Sequence, residues 1–219
     1  MKSILLLSTF LVLIGCGSTE KNAEQPRQAP APPAKPQDNR PVIVAFGDSL
    51  SAGFGADPGK SYPDFLQKEL DARGLRYHVI NAGVSGETST DGLVRVDTIT
   101  ALKPVIVILE FGGNDGLRGL PVETTRANLE QMIVALRKGG AKVVLAGMTL
   151  PPNYGPDYIH SFEAVYHDLA RQYHVPLIPF LLAGVGGNPH LMQRDGIHPT
   201  AEGNRIVAQN VLHVLLSDL

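Results

Sequence analysis

The sequence has almost no excess of charge of either sign and almost no cysteine. Its formal net charge is −2 over 219 residues, which favours neither nucleic acid nor an acidic lipid surface as a partner. Cys16 is the only cysteine, so no disulfide can form within the chain and the fold must be held by its core. The common serine-hydrolase motif G-x-S-x-G is also missing, and any catalytic serine must be identified by other means.

The one long apolar run lies at the start, in "MKSILLLSTFLVLIGC". It is short for a membrane span and has the build of a secretory signal. Its last residues, Leu13 to Cys16, resemble a bacterial lipobox, in which the cysteine is lipidated and becomes the new N-terminus. We therefore expect a lipoprotein signal peptide over 1–15 and a lipid anchor on Cys16. The alternative is an ordinary signal peptide with an incidental cysteine.

Residues 16–40 are rich in proline and have few apolar side chains except alanine. Such a composition cannot bury enough surface to offset chain entropy, which predicts a disordered tether. The remaining 41–219 is long enough for one domain with a well-buried core. We expect a monomer in the cell envelope, on the periplasmic side. Gly17, rather than aspartate, follows the cysteine and favours the outer over the inner membrane.

Short β-branched runs alternate with longer helical patterns along the domain. The five predicted strands are 42–47, 76–82, 105–112, 142–148 and 175–180. The predicted helices are 61–74, 121–140, 157–174 and 200–216, with a weaker one over 88–102. This order predicts an α/β fold, a three-layer α/β/α sandwich around a five-stranded parallel sheet with the flavodoxin-like order 2-1-3-4-5. In such a sheet a ligand binds beyond the carboxyl ends of the strands.

Residues suited to chemistry do cluster after these strands, although each one alone is also a common turn former. They are Ser49 after the first strand, Gly86 after the second, Asn114 after the third, and Asp195 with His198 in the loop before the last helix. A nucleophilic serine needs a base, and the base needs a group that orients it. Of the seven histidines only His198 has a carboxylate a few loop residues away. Ser49 is the preferred nucleophile, with Ser51 and Ser85 as alternatives.

An acyl-transfer site also needs donors for the developing oxyanion. The backbone N–H groups of Ser49 and Gly86 and the side-chain amide of Asn114 come from three adjacent strand ends and could converge there. Glycine at position 86 lets its N–H approach a ligand without a Cβ in the way.

The stretches "GDSLSAG", "NAGVSGETS", "GGNDG" and "DGIHP" resemble, in order, the four sequence blocks of the SGNH, or GDSL, hydrolase family. Further similarity points to its thioesterase I, lysophospholipase and arylesterase branch. The resemblance implies Ser49 as nucleophile, Asp195 and His198 as the rest of the triad, and Gly86 and Asn114 in the oxyanion hole. It also implies no metal and no organic cofactor.

We therefore expect a serine hydrolase that cleaves acyl esters and acyl thioesters. Two loops are candidates for substrate choice, 149–158 and 180–193, where an acyl groove could involve Tyr154, Leu181, Leu182, Leu191 and Met192. Ordinary loop packing is the alternative for these side chains. Two other functions are open: a carbohydrate deacetylase, which needs a polar sugar cleft, and a non-catalytic flavodoxin-like binding module, which gives no reason for the pairing of Asp195 with His198.

Overall fold

The computed structural model describes residues 38–217. Five strands in this part form one parallel sheet in the order 2-1-3-4-5, which confirms the predicted fold class. The strands are β1 (Val42–Gly47), β2 (His78–Asn81), β3 (Ile106–Glu110), β4 (Lys142–Ala146) and β5 (Leu177–Ile178). The α-helices are α1 (Ser49–Ala52), α2 (Tyr62–Ala72), α3 (Ser89–Val94), α4 (Val96–Thr100), α5 (Gly113–Leu117), α6 (Val122–Lys138), α7 (Pro156–Tyr173) and α8 (Ala201–Leu215), with a 3₁₀-helix at Pro152–Tyr154.

Helices cover both faces of the sheet. Helices α2 and α8 pack against each other on one face, and α6 packs with α3, α4 and α7 on the other. Strands β1 and β3 in the middle are therefore buried on both sides, which explains their nearly continuous apolar sequences. The carboxyl ends of β1, β2 and β3 meet at one edge of this core, where the predicted site residues follow them.

Side-chain caps set the starts of the helices around that edge. The carboxylate of Asp48 accepts a hydrogen bond from the N–H of Leu50 and begins α1 directly after β1. Ser61 and Asp64 form a reciprocal capping box at the start of α2. Thr200 accepts from the N–H of Gly203 and begins α8. The short α1 is thus built by a turn of the chain that leaves Ser49 at its first position.

Several elements are shorter than the sequence predicts. Strand β5 is reduced from 175–180 to two residues because Pro176 and Pro179 have no N–H to donate to a sheet. The weak helix over 88–102 forms as two short helices that meet at Arg95. The sequence did not predict α5 or the 3₁₀-helix, which are too short to show a helical period.

Residues 181–200 connect β5 to α8 without forming a helix or a strand. One isolated bridge joins Met192 to Pro199 inside this segment. The side chain of Asn210 on α8 donates to the carbonyls of Leu181 (3.1 Å) and Ala183 (2.9 Å) and holds the start of the segment. Hydrogen bonds and loop packing, rather than regular structure, therefore position this part of the chain.

The predicted signal peptide over 1–15, Cys16 and residues 17–37 of the predicted tether lie outside the described residues. The last tether residues are described, and there Arg40 forms ion pairs with Asp38 and Asp71. Within 38–217, none of the helices combines the length and the apolar character that crossing a membrane requires.

Candidate active site

Three side chains from distant parts of the sequence form one hydrogen-bonded line. Nε2 of His198 lies 2.9 Å from Oγ of Ser49, and Nδ1 of the same ring lies 2.7 Å from Oδ2 of Asp195. The other Asp195 oxygen accepts the backbone N–H groups of Ile197 (2.9 Å) and His198 (3.0 Å). The loop before α8 therefore turns around Asp195 and presents its imidazole to the end of β1.

The loop is fastened to the region of Ser49 by two further contacts. The side-chain amide of Gln193 donates to the carbonyls of Phe54 (2.7 Å) and Pro199 (2.9 Å). The ring of Phe54 lies against the His198 imidazole with centroids 4.6 Å apart. These contacts limit the rotation of the imidazole, so its Nε2 stays directed at Ser49.

The local environment keeps Asp195 ionised. Burial opposes the charge, but the hydrogen bonds from the His198 ring and from the two backbone N–H groups outweigh it and lower the pKa of Asp195 to about 2. A carboxylate that is hydrogen-bonded to Nδ1 keeps the ring proton on Nδ1. Nε2 is then free to accept a proton. In this arrangement the Ser49 hydroxyl can pass its proton to His198.

The two alternative serines lie elsewhere. Ser51 is fully buried, and its hydroxyl donates to the carboxyl of Glu110 (2.8 Å) and contacts the hydroxyl of Tyr62 (3.0 Å). Ser85 is exposed in the loop after β2. In the described part of the chain, Ser49 is the one serine within hydrogen-bond distance of a histidine ring nitrogen.

The three predicted oxyanion donors follow β1, β2 and β3. The N–H groups of Ser49 and Gly86 have no hydrogen-bond partner within residues 38–217. Gly86 has φ +85°, a conformation suited to glycine, and the Arg118 guanidinium holds its peptide by donating to its carbonyl at 2.8 Å. Asn114, on α5, donates through Nδ2 to Oδ2 of Asp48 (3.0 Å) and to the carbonyl of Glu87 (2.8 Å).

An ion pair fixes the loop that carries Glu87. Nη2 of Arg95 lies 2.6 Å from a carboxylate oxygen of Glu87 and donates to the carbonyl of Gly47 at 3.1 Å. Its guanidinium also lies over the Phe46 ring, 4.6 Å from the centroid. The loop after β2 is thereby tied to the end of β1, and the Glu87 carbonyl is held where the Asn114 amide meets it.

Comparison with known proteins places this arrangement in a family. The profile described as the GDSL-like Lipase/Acylhydrolase family matches residues 45–206, most of the chain. The chain belongs to the GDSL-like lipase/acylhydrolase family. It is 45% identical to Esterase TesA of Pseudomonas aeruginosa, over 78% of this chain and 85% of that protein. It is 36% identical to Thioesterase 1/protease 1/lysophospholipase L1 of Escherichia coli, over 76% of this chain and 79% of that one.

A solved structure supports the same fold. The crystal structure of the psychrotrophic esterase EstA from Pseudoalteromonas sp., inhibited by monoethylphosphonate, superposes with a TM-score of 0.77 at 31% identity. The match covers 80% of this chain and 97% of that one. The resemblance drawn from the four sequence blocks is thus confirmed at the level of family and fold.

An apolar cavity of about 350 Å³ lies beside the candidate site. Leu50 and Gly113, next to the site residues Ser49 and Asn114, form part of its wall, as does Ile197 beside His198. The other lining residues are Leu117, Met148, Thr149, Leu150, Pro151, Pro152, Phe180, Leu182, Gly186, Gly187, Met192 and Gly196. A cavity of this size and lining suits an apolar chain.

The structure places the five predicted groove residues differently. Leu182 and Met192 line the cavity. Leu181 is fully buried in the core, and Leu191 is half-buried against it. Tyr154 lies outside the lining and donates from its hydroxyl to the carbonyl of Leu117 at 2.7 Å.

Sequence reasoning did not single out Glu110, Arg95 or Phe54. Glu110 did carry a signal, because it is the one charged residue in the apolar strand "VIVILEFG". Phe54 contacts His198 only through the tertiary fold, and no local pattern marks it. Within 38–217 no three side chains of histidine, cysteine, aspartate or glutamate converge in a way that could hold a metal ion.

Proposed function

We propose that this chain hydrolyses acyl esters and acyl thioesters through a covalent acyl-enzyme on Ser49. The observation that carries the proposal is the hydrogen-bonded line from Ser49 through His198 to Asp195. Its membership in an acylhydrolase family and the apolar cavity beside Ser49 agree with it.

In the first half-reaction Ser49 Oγ attacks the acyl carbon while its proton moves to Nε2 of His198. Asp195 keeps the ring oriented and stabilises the imidazolium that forms. The negative charge on the carbonyl oxygen is stabilised by the N–H groups of Ser49 and Gly86 and by the Asn114 amide. His198 then gives its proton to the leaving alcohol or thiol as the carbon–oxygen or carbon–sulfur bond breaks.

In the second half-reaction water replaces the leaving group. Its proton passes to Nε2 of His198 while its oxygen attacks the acyl carbon, and the same donors stabilise the second oxyanion. The proton returns to Ser49 Oγ as the acid leaves.

The cavity supports an acyl chain as the recognised part of the substrate. Apolar side chains such as Leu182 and Met192 form most of its wall, and they would stabilise an alkyl chain by removing it from water. An acetylated sugar would need polar partners for its hydroxyl groups, so a lipid-like ester is favoured over a polysaccharide.

Covalent labelling tests the nucleophile. The wild-type protein is treated with a serine-directed fluorophosphonate, and the labelled peptide is identified by mass spectrometry. We expect one label on Ser49, which is lost in Ser49→Ala and retained in the matched control Ser85→Ala. Label on Ser51 or Ser85 instead would refute the assignment.

A hydrolysis profile tests the substrate class. The panel contains acyl-CoA, a lysophospholipid, p-nitrophenyl esters of graded length and an acetylated sugar. We expect turnover of aryl esters and acyl-CoA, each lost in Ser49→Ala. Turnover restricted to the acetylated sugar would favour a deacetylase, and labelling without any turnover would reject hydrolysis of acyl esters.

We also propose that Cys16 carries a lipid that holds this monomeric enzyme on the periplasmic side of the cell envelope, at the outer membrane. The lipobox-like sequence at 13–16 and the proline-rich stretch after it support this. Fractionation of cells that express the full chain tests it. The wild-type protein should sediment with outer-membrane vesicles and Cys16→Ala should not, whereas equal partition of the two would reject the anchor.

A further inference from the structure

Two carboxyl groups are buried together directly behind the nucleophile. Asp48 precedes Ser49 and is 2% exposed, and Glu110 at the end of β3 is fully buried. The sheet register sets Glu110 opposite Gly47, and a Cβ at position 47 would lie 2.2 Å from Oε2 of Glu110. Neither carboxyl forms an ion pair with a lysine or arginine of residues 38–217. The mechanism above uses neither group.

The hydrogen bonds around the pair are unevenly shared. Oε2 of Glu110 accepts from the Asp48 N–H (3.1 Å), the Ser51 N–H (3.3 Å) and the Ser51 hydroxyl (2.8 Å). Oε1 of Glu110 is buried and faces no donor in the described residues. Both Asp48 oxygens have donors, Leu50 N–H on Oδ1 and Asn114 Nδ2 on Oδ2, each at 3.0 Å. One proton in this pair therefore belongs on Oε1 of Glu110, where it turns an unpartnered acceptor into a donor.

The surroundings favour that neutral form. Burial raises the pKa of Glu110 well above its usual range, and the neighbouring charge of Asp48 raises it further. The side chains that approach from other elements supply little positive charge. Tyr62 reaches the Ser51 hydroxyl, Tyr166 donates to the carbonyl of Phe111, and Arg95 is paired with Glu87. His198 approaches from the loop before α8, where its Nε2 lies 2.9 Å from Oγ of Ser49, the residue after Asp48.

The pair is connected to the oxyanion site through Asn114. Its Nδ2 has two hydrogens, and both are already used, one by Asp48 Oδ2 and one by the Glu87 carbonyl. A developing oxyanion must take over one of them, and it competes with the carboxylate of Asp48. If both carboxyls were ionised, Asp48 would hold that hydrogen more strongly and two negative charges would face the oxyanion in a dry site.

We propose that Glu110 is a neutral carboxylic acid that donates its proton in a hydrogen bond to Asp48, and that this shared proton lets the Asn114 amide pass from Asp48 to the oxyanion. Glu110 is then a positioning residue, which acts on the transition state without touching the substrate. The proton stays within the pair through the cycle, so no proton is gained or lost there. This inference rests on the proposed hydrolysis at Ser49.

Two substitutions of Glu110 separate a neutral from a charged role. Glu110→Gln keeps the shape, the accepting oxygen and a donor for Asp48, whereas Glu110→Ala removes all three. For an aryl ester we expect kcat of the Gln variant to fall by less than about tenfold and kcat of the Ala variant by about 10²-fold or more, with KM little changed. The wild-type kcat should fall at alkaline pH as the shared proton is lost, and the Gln variant should lack that fall. A Gln variant as impaired as the Ala variant would overturn the proposal.

Infrared spectroscopy of the wild-type protein gives a second readout that needs neither turnover nor a folded variant. A buried protonated carboxyl has a carbonyl band distinct from that of carboxylates. We expect this band at neutral pH and its loss over the same alkaline range as the fall in kcat. Its absence at neutral pH would overturn the proposal even if Ser49 is labelled. Failure of the phosphonate label with the band present would instead count against the proposed hydrolysis.

Discussion

Nε2 of His198 lies 2.9 Å from Oγ of Ser49, although 149 positions of sequence separate the two residues. One belongs to a helix that begins at the end of a central strand, and the other to an irregular loop before the last helix. The contact depends on the packing of that loop against Phe54, whose ring meets the imidazole. The proposed activation of Ser49 therefore comes from tertiary structure rather than from any local motif.

Replacement of Asn114 by alanine should reduce kcat by about 10²–10³-fold with little change in KM, because the amide is needed for the oxyanion and not for the bound ester. Steady-state kinetics on an aryl ester measures both constants. Gln131→Ala, which removes an exposed amide on α6, is the matched control and should keep both. A rise in KM with kcat unchanged would mean that Asn114 serves only to bind substrate.

Replacement of Asp195 by asparagine should reduce kcat by about 10³–10⁴-fold, because an amide cannot hold the imidazole in the required tautomer. The pKa of Asp195 is lowered to about 2, so its carboxylate stays ionised as the pH falls well below neutrality. The pH profile of the wild-type enzyme should therefore show no loss from Asp195 at mildly acidic pH. If kcat of the wild-type enzyme fell at mildly acidic pH and kcat of Asp195→Asn did not, Asp195 would be the group that takes up a proton. That outcome would contradict an ionised carboxylate.

Met192 lines the apolar cavity and Leu191 beside it does not, which provides a matched pair of substitutions. Met192→Phe should lower kcat/KM for long-chain p-nitrophenyl esters by about 10–10²-fold and leave the acetate nearly unaffected. Leu191→Phe should leave the chain-length profile as it is. Equal effects of the two substitutions would show that the cavity is not the acyl site.

Much of the fold, and the contacts that join Ser49, His198 and Asp195, could be predicted from the sequence. Alternating β and α patterns indicated the sheet order, and that order places residues that follow β1, β2 and β3 at one edge. The pairing of Asp195 with His198 was visible because both lie in one short loop. These predictions rest on local patterns and on the few topologies that parallel sheets allow.

The rest depended on register and loop packing. Glu110 stands in an apolar strand, but its burial beside Asp48 follows from its position opposite Gly47, which no local pattern specifies. Leu181 and Leu182 are adjacent in sequence, yet only Leu182 reaches the cavity. Residues 181–200 have no regular period, so the direction of each side chain could not be predicted.

The buried pair of Asp48 and Glu110 predicts a pH-dependent stability. Burial raises the pKa of Glu110 above its value in the unfolded chain, so the folded protein keeps a proton that the unfolded chain loses. The contribution of Glu110 to the free energy of unfolding should be largest below its unfolded pKa of about 4. Above that pH the contribution should fall by about 1.4 kcal/mol per pH unit, for as long as the folded pair keeps the proton that the unfolded chain has lost.

Urea unfolding of the wild-type protein and of Glu110→Gln as a function of pH measures this slope. The glutamine variant has no such proton, so the difference between the two free energies should change steadily as the pH rises. The other titrating groups are common to both proteins and cancel. Parallel curves would mean that Glu110 is already ionised in the folded protein.

The irregular segment 181–200 should open at a lower temperature than the rest of the domain unfolds. It carries Asp195, His198 and part of the cavity wall, and none of its residues belongs to a strand or a helix. Opening of such a segment requires less free energy than cooperative melting of the sheet and its helices. Warming should therefore abolish activity while most of the secondary structure persists. Cooling should restore activity without refolding of the core.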